Sequence, residues 1–163
     1  MRRISAEYLY DGGSSEPLRN AYVEVADDGT VLAVGKVENP EAEPEFHKGA
    51  IVPGFVNTHC HLELSYLKGK FRKGTGMAGF IDQINEMRDT SSMEEKKADI
   101  AFWMNEMWKR GVTAMGDISN CSDTFECKAD SPMYTRTFLE VFGTEPQDCQ
   151  DVIDNVIELQ KTA

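Results

Sequence analysis

The chain has 163 residues, 40% of them hydrophobic and 28% charged, with a net charge of −11 at pH 7. That length suits one ordinary domain, and the composition is that of a soluble globular protein. The acidic balance argues against a nucleic-acid or anionic-membrane surface, and no apolar run approaches the length of a membrane span.

The first residues carry positive charge but no apolar stretch of the signal-peptide kind. The four cysteines, Cys60, Cys121, Cys127 and Cys149, form no C-x-x-C pair and no dense framework. Reduced thiols and a cytoplasmic location are therefore expected, with Cys121 and Cys127 structural or incidental.

In chain order, residues 2–10 and 21–34 predict strands, with Asp28-Gly29 as a hairpin-turn signal between Val25 and Val31. Residues 36–48, with Pro40 and Pro44, predict a polar connector, and His47 within it reads as a lone surface histidine. An apolar run from Ala50 to Val56, broken by Pro53-Gly54, then delivers His59 and His61. On a strand, alternate side chains share a face, so these two imidazoles project together while Cys60 faces away. Two imidazoles make half of a divalent-metal site; alone they fix no geometry, and a polar pair at a strand end is the plain alternative.

The segment Lys68–Gly76 has three glycines and four cations, but its spacing does not fit a phosphate-binding P-loop. It reads as a mobile loop near the mouth of a site. Met77 to Arg88 predicts a helix with Phe80, Ile81, Ile84 and Met87 on one side, as a cover for a pocket or as plain packing. Ser92 opens the clearest helix. Ser92-x-x-Glu95 has capping-box form, Ile100, Trp103, Met104, Met107 and Trp108 make a buried face, and Gly111 ends it.

Residues 112–120 predict a strand ending in polar groups, 121–131 a polar connection, and Tyr134 to Phe142 a further strand closed by Gly143. Thr144 and Gln147 have capping-box spacing before a helix with Cys149, Val152, Ile153, Val156 and Ile157 along one face. Strands alternating with amphipathic helices predict an α/β fold with a parallel sheet and right-handed crossovers.

The stretch Pro53-Gly54-Phe55-Val56-Asn57-Thr58-His59-Cys60-His61-Leu62-Glu63 resembles the first barrel strand of the amidohydrolase superfamily. The branch it resembles holds cytosine, adenosine, adenosylhomocysteine and aminofutalosine deaminases and the triazine hydrolases. Residues 111–120 and 136–143 look like that family's second and third strands, more loosely. The resemblance implies the first three strands of a (β/α)₈ TIM barrel over residues 49–163. A small antiparallel layer over 1–48, part of a β-sandwich, would precede it. A closed barrel takes about 250 residues, so three strands cannot close one. The chain is expected to be the N-terminal portion of such an enzyme, and no histidine follows His61.

By resemblance, His59 and His61 are metal ligands for zinc, with iron or manganese as alternatives. The metal would lower the pKa of a water that attacks a C–N carbon of a purine-like or other heterocyclic amine. The remaining ligands and the acid/base residue would lie on strands outside this sequence. Glu63 has the parity of the histidines and reads as a substrate-binding residue if the strand continues that far, or as a solvated glutamate. Glu140, near the end of the third strand, is a second substrate-binding candidate, with Arg136 as its same-face partner. Asp117, Ser119 and Asn120 sit where barrel enzymes place functional groups, with capping or loop hydrogen bonding as the plainer role.

Two functions follow: a metal-dependent hydrolase, or a non-catalytic relative acting as a binding or assembly module. A later segment carrying two histidines and an aspartate at strand ends would decide for the first, and a native stop codon after Ala163 for the second. A small-molecule substrate is expected, with no nucleic-acid or membrane partner. Unpaired strand edges predict homo-oligomerisation or marginal folding, and the 163-residue chain alone is expected to be inactive.

Overall fold

The computed structural model describes residues 1–38, 44–141 and 146–162, which fall into two units, Met1–Pro53 and Gly54–Ala163. The first unit is a four-stranded sheet of β1 (Arg2–Leu9), β2 (Ala21–Val25), β3 (Val31–Lys36) and β4 (Glu45–Ile51), in the order β3-β2-β1-β4. The expected hairpin is β2–β3. Its turn closes with Gly29 N–H donating to Ala26 O at 3.0 Å, and Gly29 takes the positive φ of 90° that glycine tolerates. Ala6, Leu9 and Ala21 are buried here.

Two expectations need correcting in this unit. Residues 45–48 are not connector: they begin β4, which pairs with β1 in parallel, Ile4 opposite Glu45 and Leu9 opposite Ile51. The layer is therefore mixed, and the unit boundary falls at Pro53/Gly54 instead of 48/49. The polar, mostly exposed run Glu45-Phe46-His47-Lys48 hid a strand of which little hydrophobic pattern was required. His47 is exposed, with Nε2 2.9 Å from Glu45 Oε1. Pro40, also assigned to the connector, lies outside the described residues.

The second unit contains a parallel sheet, β5 (Phe55–Cys60), β6 (Val112–Ser119) and β7 (Tyr134–Leu139), in that order. Around it are α1 (Gly76–Met87), α2 (Met93–Lys109), α3 (Phe125–Ala129) and α4 (Cys149–Thr162), with short 3-10 helices over Leu62–Leu67 and Pro146–Asp148. Helix α2 starts as its sequence dictates. Ser92 Oγ accepts from Glu95 N at 3.3 Å, and Glu95 Oε2 accepts from Ser92 N at 2.8 Å. Gly111, at φ 85°, turns the chain out of α2, and its carbonyl accepts from Phe55 N at 2.8 Å, joining the helix end to the start of β5.

The core gathers Leu62, Ile100, Met104, Met115 and Met133. Of the face expected on α2, Ile100 and Met104 are fully buried, Trp103 and Met107 partly, and Trp108 is exposed. Of the apolar side expected on α1, Ile84 and Met87 are half-buried, Phe80 packs its ring 4.9 Å from that of Phe71, and Ile81 is exposed. The one fully buried residue of the helix is Gln83. Gln83 Oε1 accepts from Arg72 N at 2.7 Å, and its Nε2 donates to Gly79 O at 2.8 Å and Thr75 Oγ1 at 3.1 Å. A buried amide with its bonds made ties the Lys68–Gly76 loop to α1.

On α4 no side chain is fully buried; Val152 and Val156 are half-covered, while Cys149, Ile153 and Ile157 are exposed. The third strand ends at Leu139, with Phe142, Gly143 and the Thr144 cap outside the described residues. Residues 121–131, expected as connection only, contain α3. Among the described residues, no helix is long and apolar enough to cross a membrane.

Candidate metal centre

His59 is the fifth residue of β5, and β5 is held against β6 by pairing that sets Cys60 opposite Asp117. The strand stops at Cys60. His61 is the residue before the 3-10 helix, with φ −114° and ψ 79°, and its carbonyl accepts from Leu64 N at 3.0 Å. Although one imidazole is on the strand and the other on the turn, their Nε2 atoms are 3.3 Å apart and the ring centroids 5.3 Å. His59 is exposed and His61 half-buried, so the pair faces accessible space.

The Nε2 separation is the test of fit for a metal. Two imidazole nitrogens at about 2.0–2.1 Å from a tetrahedral zinc stand roughly 3.3–3.4 Å apart along the tetrahedron's edge. The observed pair has that spacing. As a metal-free pair, one ring donates through Nε2–H and the other accepts. Metal ligation needs a lone pair on both nitrogens, so binding displaces that proton. Among the described residues, no group of three or more His, Cys, Asp or Glu is placed to hold a metal.

Cys60 points away from the pair, and burial, with Asp117 next in weight, pushes its thiol up to about 11. Burial also pushes Cys121 up to about 12. In both, burial favours the neutral thiol.

Glu63 does not project alongside the histidines, because β5 has already ended and Glu63 belongs to the 3-10 helix. Glu63 is buried, 5% exposed as a residue. Oε2 accepts from Asn120 N at 2.8 Å, Cys121 Sγ at 3.3 Å and Ser119 Oγ at 3.4 Å; Oε1 accepts from Asn120 Nδ2 at 3.1 Å. Asn120 Nδ2 also donates to Glu140 Oε2 at 3.1 Å. Glu140 follows β7, and its backbone N donates to Ser119 O at 3.0 Å. The partner expected for it, Arg136, is exposed, and among the described residues no ion pair joins the two; Glu140 lies past the end of β7 at Leu139, where strand parity no longer applies. Asn120 thus links both carboxylates from the end of β6.

Behind this row Asp117 is completely buried. Its Oδ1 accepts from Leu62 N at 2.9 Å, and its Oδ2 from Lys128 Nζ at 2.7 Å and Thr124 Oγ1 at 3.2 Å. Lys128 Nζ also donates to Thr137 Oγ1 at 2.8 Å. Sequence reasoning missed Lys128, because α3 is too short to show a periodic face. The signal that was present is a lone lysine amid acidic residues, downstream of an aspartate in an apolar strand.

No protein-family model matches the chain. The chain is 29% identical over 126 residues to the aminodeoxyfutalosine deaminase of a Nitratiruptor species, covering 74% of this chain and 31% of the relative. It thus spans less than a third of the length of that curated relative. In fold it matches the aminofutalosine deaminase of Helicobacter pylori crystallised with methylthio-coformycin, with a TM-score of 0.75 at 22% identity, over 100% of this chain and 41% of that one. An adenosine deaminase from Xanthomonas campestris, crystallised with bound zinc, matches with a TM-score of 0.61 at 16% identity, over 99% and 40%. The similarity is to deaminases of the amidohydrolase superfamily, and it extends over a part of each of them.

Proposed function

We propose that this chain, similar in sequence and fold to part of the amidohydrolase-superfamily deaminases, is the N-terminal portion of a metal-dependent hydrolase. On this reading β5, β6 and β7 are the first three strands of a (β/α)₈ barrel, and their C-terminal ends carry the site. The reaction class is hydrolytic deamination of a purine-like or other heterocyclic amine. The observation that carries the reading is the 3.3 Å between His59 Nε2 and His61 Nε2, the edge of a zinc tetrahedron.

His59 and His61 hold the metal, with zinc favoured because the similar Xanthomonas enzyme was crystallised with it. A bound divalent metal supplies Lewis acidity that makes water a nucleophile near neutral pH. The chain's own residues orient. Glu140, half-buried and bonded at one oxygen by Asn120, has acceptor capacity left for an amine or ring N–H of a substrate. Glu63, expected from the sequence as a substrate-binding residue, is buried with both oxygens engaged, so on this reading it holds Asn120 in place behind Glu140 instead of meeting substrate itself.

A non-catalytic binding or assembly module is the second reading. It is favoured by the lack, among the described residues, of a third ligand beside the histidines.

The test is a zinc titration of the purified chain against a His59→Ala, His61→Ala double variant. The expected result is weak binding by the unaltered chain, since two ligands serve where zinc takes three or four, and its loss in the variant. Equal affinity in the two proteins overturns the metal reading and leaves the binding module.

A further inference from the structure

The buried Asp117–Lys128 pair is not placed where an ion pair helps stability most. Taking both charges out of water is costly, and apolar residues of like volume usually serve the fold as well. An apolar replacement for Asp117 would leave one thing undone. It could not accept the Leu62 N–H, the first amide after His61.

That bond matters because the chain changes course at His61. His59 is on a strand, His61 is not, and His61 has no side-chain cap for the helix it begins. Among the described residues, the turn is held at His61 O by Leu64 N and at Leu62 N by Asp117 Oδ1. Asp117 is itself held by Thr124 and by Lys128, and Lys128 also reaches Thr137 on β7. The chain of contacts therefore runs from two neighbouring elements, through one carboxylate, to the backbone of one histidine.

We propose that Asp117 is a positioning residue for metal ligation: its bond to Leu62 N sets the backbone that brings His61 Nε2 to 3.3 Å from His59 Nε2, and Lys128 and Thr124 fix the carboxylate for that task. The inference rests on the reading of His59 and His61 as ligands. Partners behind a ligand commonly tune metal affinity by about 10–100-fold.

Two double variants separate the bond from the charge pair. Asp117→Asn with Lys128→Met removes both buried charges but keeps an oxygen to accept the Leu62 N–H. Asp117→Leu with Lys128→Met removes the acceptor as well. Zinc affinity by chelator competition is expected to stay within about threefold of the unaltered chain in the first and to fall by about tenfold or more in the second.

Metal-free NMR gives the second readout. Inter-ring contacts between His59 and His61 are expected in the first variant and lost in the second, and circular dichroism reports whether each is folded. Retained affinity and ring contacts in a folded Leu–Met variant overturn the proposal. So does the loss of either in a folded Asn–Met variant, which remains decisive if the Leu–Met variant fails to fold. If the His59→Ala, His61→Ala variant binds zinc normally, the metal reading has failed, and the ring contacts alone then judge whether Asp117 positions His61.

Discussion

Asn120 grips Glu63 twice, its backbone N–H donating to Oε2 at 2.8 Å and its side-chain Nδ2 to Oε1 at 3.1 Å. Cys121 Sγ also donates, while the single proton of Ser119 Oγ is shared with the nearer Cys121 O at 3.0 Å. Glu63→Gln is the informative change, because it keeps the shape but turns an NH₂ toward N–H and S–H groups. It is expected to cost about 1–3 kcal/mol. Thermal melts of the two proteins measure it. An unchanged midpoint would show that Glu63 is not held by these bonds.

The exposed apolar residues predict association. Val56 is 62% exposed, Tyr134 68% and Phe138 50%, and β5 and β7 are the two edges of their sheet. Unpaired edges and bare apolar faces favour self-assembly or marginal stability. Sedimentation across a range of protein concentrations is expected to show concentration-dependent species. A sharp, cooperative melt of a strict monomer at high concentration contradicts this and shows that three βα units suffice.

Cys60 predicts a loss of stability at alkaline pH. Burial raises its thiol from 9.0 to about 11 in the folded chain. Between those values the unfolded chain releases the proton while the folded one keeps it, so the unfolded state binds fewer protons and stability falls as pH rises. The contribution is complete below pH 9.0 and lost by about 11. Urea denaturation of the unaltered chain and of Cys60→Ala through that range measures it. The variant is expected to show the shallower decline; identical slopes would assign the effect elsewhere.

The parts of this architecture that can be read from residues alone are those in which local chemistry and tertiary packing agree. Ser92 and Glu95 cap α2 because both halves of the reciprocal bond stand three positions apart. His59 and His61 meet because one residue separates them, although the reason is a strand end and a turn, not strand parity. Strand β4 escaped notice because its side chains face mostly outward, leaving no alternation to find. Gln83 and Lys128 escaped because a buried polar side chain looks like a surface one until its partners are in place. Asn120's link between Glu63 and Glu140 spans residues far apart in sequence, and no spacing rule reaches that distance.

The 163-residue chain is expected not to deaminate at an enzyme-like rate. On the proposed metal-dependent reading, hydrolysis needs a metal at fixed coordination, and among the described residues the histidine pair has no third protein ligand beside it. Two nitrogens on one segment leave an ion loosely held and largely hydrated. Glu63, the nearest carboxylate in sequence, has both oxygens engaged by Asn120 and its neighbours, so it is not free to shuttle a proton. Without a placed acid/base group, positioning worth about 7–11 kcal/mol is mostly lost. A homodimer does not mend this, since a second copy brings the same two histidines. Ammonia release by the zinc-loaded chain from a panel of aminopurines and aminopyrimidines should match free zinc. Turnover clearly above that background, abolished by His61→Ala, would make three strands and two imidazoles a minimal enzyme.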